Sequence, residues 1–178
     1  MRSISLRSRA GLKSDMAKCL MAFLVIPLVL TLAASRGVCQ SDNSFPTKYS
    51  TIHYSDEKDF TDFIWKLGGS RTDLVRGTDI AASRVDRIVE RVEAILDMTP
   101  ANFRMDIFIK RGPVSPDRIA YYDTNARAIH ISLENASEGV FAHEVAHAVI
   151  DQYFGAPPPS KTGEILTQYV DKYLWSDY

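Results

Sequence analysis

At 178 residues the chain is long enough for one domain and too short for two of ordinary size. Its 46% hydrophobic and 24% charged content is that of a globular protein, which sets aside a disordered or low-complexity chain. The net charge of −1 hides an asymmetry: residues 41–178 carry 15 basic against 21 acidic side chains, and an acidic body with no basic stripe speaks against nucleic acid as a partner.

The first forty residues hold the remaining basic groups, with Asp15 as their one acid. A basic start, an apolar run over residues 19–34 and small residues after it have the layout of an export signal. Ala33 with Ser35, or Ser35 with Gly37, suits the positions before a cleavage point. The run falls short of the roughly 20 apolar residues of a spanning helix, and Pro27 interrupts it; an uncleaved N-terminal anchor is the alternative. Cys39 raises the question of lipidation, to which Arg36-Gly37-Val38 is a poor approach. The expected location is therefore periplasmic or secreted, with membrane contact only through this segment if it is retained. Cys19 and Cys39 are the only thiols, so no disulfide is expected within residues 41–178.

Residues 41–50 read as a polar lead-in, and 51–54 as a short strand. Ser55 offers an N-cap to a helix whose apolar stripe is Phe60, Phe63, Ile64 and Leu67, stopped by Gly68-Gly69. Thr78-Asp79 opens a longer helix with Val85, Ile88, Val89, Val92, Ile95 and Leu96 on one face, ended at Thr99-Pro100. Residues 103–111 alternate Phe103, Met105, Ile107 and Ile109 against Arg104, Asp106 and Lys110, a strand with one buried face. Residues 118–122 and 127–133 are two further strands, joined through Asp123-Thr124-Asn125 as a hairpin. Asn135 with Glu138 resembles a capping box for a helix reaching Phe154, broken by Gly155 and Pro157-Pro158-Pro159. A last helix covers 161–174, with Ile165, Leu166, Tyr169, Val170 and Tyr173 as its apolar stripe. The order predicts an α+β domain over residues 41–178, a small antiparallel or mixed sheet packed on helices.

The chemistry concentrates in His143-Glu144-Val145-Ala146-His147. Residues four apart stand one above the other on a helix, so both imidazoles can reach a single ion. Zinc takes nitrogen at about 2.0–2.1 Å, which such a pair meets without bending the helix. Glu144, beside His143, is placed to take a proton from a water on that ion, with no need to be a ligand itself. A catalytic zinc takes three protein ligands and keeps one open position. Glu164, beyond the Gly/Pro-rich turn, is the expected third. His130 and Asp171 are alternatives, and Asp151 is a supporting acceptor or a surface charge.

The two histidines with the downstream Glu164 resemble the gluzincin group of zincin metallopeptidases, over about the last fifty residues. The resemblance implies a zincin-like domain with one zinc per chain on His143, His147 and Glu164, and Glu144 as the general base of peptide hydrolysis. It also implies a strand, residues 127–133, that pairs with an extended peptide or protein substrate. The extended metzincin motif is absent, since Ile150 and Tyr153 stand where that group has Gly and a third His. Many gluzincins carry Asp four residues after the ligand Glu, to orient a zinc-bound His; this chain has Gln168 there. A C-terminal subdomain supplies the oxyanion-stabilising His or Tyr in that group; with the sequence ending at Tyr178, Tyr153, Tyr169 or Tyr173 could substitute, although core packing is the commoner fate of a Tyr on a helical stripe. A different class follows from the same two departures: an exported metal-holding binding or adaptor domain without turnover.

Overall fold

The computed structural model describes residues 43–68 and 78–176, within the compact unit Ser41–Tyr178. The expected export segment over residues 1–40 lies outside the described residues, as do residues 69–77 with the second glycine of the expected first-helix stop, Gly69. Five strands and four helices follow in the order β1 (Asn43–Pro46), β2 (Ser50–Tyr54), α1 (Glu57–Lys66), α2 (Thr78–Leu96), β3 (Met105–Lys110), β4 (Ala120–Asp123), β5 (Ala128–Ser132), α3 (Glu138–Phe154) and α4 (Ser160–Tyr173). Among the described residues no helix is long and apolar enough to cross a membrane.

The sheet order is β1-β2-β3-β5-β4, with β2, β3 and β5 parallel and the two outer strands antiparallel to their neighbours. Alternation in β3 turns Met105, Ile107 and Ile109 into the core, where they meet Ile52 and Tyr54 of β2 and Ile129 and Ile131 of β5. The helices close over that face. Phe60, Phe63, Ile64 and Leu67 of α1 are buried, as are Val85, Ile88, Val89 and Val92 of α2. Each such side chain contributes roughly 1.5–3 kcal/mol on leaving water.

α3 is apolar around most of its surface, with Phe141, Ala142, Val145, Ala146, Ala148, Val149 and Ile150 all buried. A helix of that kind belongs inside. It packs against α2, α4, β4 and β5, its alanines allowing close approach. Gly155 ends it in the left-handed conformation, at φ 70°.

Several local expectations need correction. The polar lead-in contains β1, too short and too polar to register as a strand; its Phe45 rests on Phe60 with ring centroids 4.9 Å apart. The cap of α1 is Asp56, whose side chain accepts from Lys58 N–H, and not Ser55. The cap of α3 is Ser137, accepting from Val140 N–H, while Asn135 closes a preceding 3-10 turn, Leu133–Asn135. The stripe read for α4 is rotated. Gly163, Thr167, Val170 and Leu174 face inward, while Ile165 and Tyr169 stand 57% and 48% exposed. Small residues mark the true contact face, and Thr167 satisfies its buried hydroxyl on the Glu164 carbonyl at 3.0 Å.

Candidate metal centre

The i, i+4 spacing on α3 delivers His143 and His147 to one side of the helix, their ring centroids 5.1 Å apart. The rotation of α4 brings Glu164 over both. Its Oε1 lies 3.5 Å from His147 Nε2 and its Oε2 3.9 Å from His143 Nε2. The ligand atoms of the three residues all fall within 4.8 Å of one another, a group that could hold a metal ion. Glu164 is the fifth residue of α4, and no acid occupies that helix's first turn. Attraction to the positive helix end, which acts over the first turn, is thus not what places this carboxylate.

Asp171 stands on α4 two turns beyond Glu164 and on the same face. Its Oδ2 is 2.9 Å from His143 Nδ1. With Nδ1 donating to that carboxylate, the lone pair of His143 is left on Nε2, the nitrogen that faces Glu164. Asp171 is therefore a partner of a candidate ligand and not the third ligand. The signal was present as an i, i+7 relation to Glu164, but only the packing of α4 on α3 reveals which ring nitrogen it meets.

Glu144 is buried, and burial pushes its carboxyl above the usual range, opposed by the charge of His143 and by a hydrogen bond from the Tyr122 backbone. Burial likewise holds His147 below the ordinary histidine value, aided by neighbouring His143, and keeps the imidazole neutral and able to coordinate.

These groups open into a cavity of about 560 Å³ between α3, the start of α4 and strand β4. β4 pairs only with β5, so its other edge is open among the described residues. The expected strand over residues 127–133 cannot add a substrate strand, because β5 is paired on both sides, by β3 and β4. Tyr122 of β4 turns inward and donates its hydroxyl to Asp151 at 2.9 Å, fastening the strand to α3. Asp151 is thus a buried acceptor for a tyrosine, and neither a surface charge nor a partner of His147.

The remaining candidates fall elsewhere. His130 stacks between Phe108 and Tyr121, at 5.1 and 4.8 Å, in a row of rings across the sheet face opposite the helices. It does not join the His143–His147–Glu164 group. Tyr153, Tyr169 and Tyr173 do not line the cavity. The rings of Tyr169 and Tyr173 meet at a tilt, with centroids 4.5 Å apart. A basic residue that the motif reading passed over does line it: Arg118, just before β4.

Compared with known proteins, the chain matches no family model, no curated protein and no solved structure.

Proposed function

We propose that the protein is a zinc-dependent peptidase of the gluzincin type, with a zincin-like domain, acting outside the cytoplasm on a peptide or protein substrate. One observation carries this reading: two imidazole nitrogens and a carboxylate converge from adjacent helices while a buried carboxylate, Glu144, sits beside them. A tetrahedral ion with bonds of about 2.0–2.1 Å sets its ligand atoms about 3.3 Å apart. The Glu164 distances of 3.5 and 3.9 Å are close to that spacing. The donor chemistry also fits: burial favours the neutral imidazole of His147, and with Asp171 at Nδ1 the Nε2 of His143 faces Glu164. The N-terminal basic and apolar segment supports the extracytoplasmic part of the reading.

Zinc held by His143, His147 and Glu164 would lower the pKa of a water toward ~7 and polarise the carbonyl under attack. Glu144 takes the proton that the water loses and passes it to the departing amide nitrogen. A carboxyl raised by burial is a stronger base than one in water and holds the proton long enough to return it. Asp171 keeps His143 in the coordinating tautomer. That contact weakens the case for a metal-holding domain without turnover, because the missing charge at Gln168 is supplied one turn further along.

The test is Glu144→Gln in the chain from residue 41, beside wild type. We expect both to carry one zinc, and the variant to lose hydrolysis of a denatured protein by on the order of 10²–10⁴-fold. Wild-type protein that is folded and zinc-loaded but never cleaves would defeat the reading.

A further inference from the structure

Hydrolysis of an amide at this centre leaves one charge to be met. As the water oxygen bonds to the carbonyl carbon, the π pair of the carbonyl moves onto its oxygen. The pair returns when the carbon–nitrogen bond breaks and the nitrogen takes the proton held by Glu144. A donor aimed at that oxygen lowers the barrier, since the charge exists only in passing. The three tyrosines weighed as substitutes are absent from the cavity wall.

We propose that Arg118 is a further catalytic residue, whose guanidinium meets the carbonyl oxygen as it becomes negative. It is the only Lys or Arg among the described residues lining the cavity, which His143, Glu144 and Glu164 also line. Among the described residues it enters no salt bridge, so its donors are not committed to a structural partner.

The local structure holds this side chain at the cavity without burying it. The Arg118 backbone N–H donates to the Ser115 carbonyl at 3.3 Å, and the next carbonyl, of Ile119, accepts from Ser132 N–H at 2.8 Å. The guanidinium carbon lies 6.0 Å from the centre of the Tyr121 ring, which is itself stacked on His130. Arg118 thus stands at the entrance to the open edge of β4. A peptide lying along that edge would carry its scissile carbonyl past Glu144 on one side and the guanidinium on the other. A planar fork of charged N–H donors holds the oxygen most strongly once it carries the negative charge.

The inference rests on the peptidase reading, and its test separates the two. In zinc-loaded Glu144→Gln protein, calorimetry would compare a phosphinic peptide, which mimics the tetrahedral anion, with the uncleaved amide peptide of the same sequence. Adding Arg118→Ala is expected to weaken the phosphinic peptide by on the order of 10²-fold and leave the amide peptide nearly unchanged. In the otherwise wild-type chain, Arg118→Ala should lower kcat by a similar factor with little change in KM, and Arg118→Lys should recover part of it. Equal weakening of both peptides, or a loss confined to KM, would make Arg118 a ground-state binding residue and overturn the proposal. Undiminished kcat in Arg118→Ala would overturn it too, leaving the peptidase reading in place. A wild-type chain without zinc or hydrolysis would overturn both.

Discussion

The two ring nitrogens of His143 face different groups, Asp171 on Nδ1 and the Glu164 carboxylate beyond Nε2. A charged acceptor at Nδ1 raises the basicity of Nε2 and fixes the ring's rotation, so its value is measured in metal affinity. Asp171→Asn keeps the size of the side chain and removes the charge. It should lower zinc affinity about 10–100-fold, read by competition against a chromophoric chelator. An affinity equal to wild type would mean that Asp171 is only a neighbour. Asp171 is half exposed, so the substitution leaves the core untouched. The histidine pair and Glu144 were legible in the sequence because helical geometry alone relates positions four apart. The positions of Asp171 against His143 and of Arg118 on the cavity wall were not, since each depends on how one element is rotated or edged against another. The tyrosines failed for a related reason: a Tyr on a helix can be assigned a task only once its face is known, and Tyr169 faces outward.

Elements differ in how much of their environment their own residues dictate. α1 and α2 carry continuous apolar stripes, and the core takes them up, with Ile95 and Leu96 at the end of α2 only partly buried. α4 does not, because its contact face is built from Gly163 and Thr167, which an apolar reading ignores. The alternation in β3 announced a strand and its inner face, but not that its partners would be parallel; pairing direction is a property of the chain path between strands. β1 escaped notice because an edge strand of four residues needs little apolar content. The end of α3 is the clearest case of local control. Gly155 sits at φ 70°, and a Cβ placed there would meet nothing within 4 Å. The cost of Gly155→Ala is therefore backbone strain alone, about 1 kcal/mol, and should appear as a lower urea midpoint with an unchanged slope. A midpoint equal to wild type would show that the helix end relaxes without penalty. The metal content should not change, since His147 lies two turns inside the helix.

At the scale of the molecule, the candidate centre lies where two halves of the chain's architecture meet. His143 and His147 belong to α3, packed on the sheet through β4 and β5, whereas Glu164 and Asp171 ride on α4 across the proline turn. Val170 and Leu174 anchor α4 in the core, Gly163 and Thr167 are buried beside its Glu164 end, and Glu164 itself faces the two histidines of α3. A cation bound there would crosslink the two helices. Because it binds the folded chain and finds no assembled ligand set in the unfolded one, it stabilises by mass action: about 2.7 kcal/mol at a free concentration one hundred times its Kd. For a domain of this size that is a rise in Tm on the order of 10 °C, removed by chelation and restored by zinc. His147→Ala should melt near the chelated wild type and show almost no response to added zinc. The contrast between the two chains matters more than either Tm, since metals also bind unfolded protein and act on the instrument's baseline in both. A wild type whose Tm ignores both chelator and zinc would leave His143, His147 and Glu164 as a polar cluster at a helix interface, with no ion to hold.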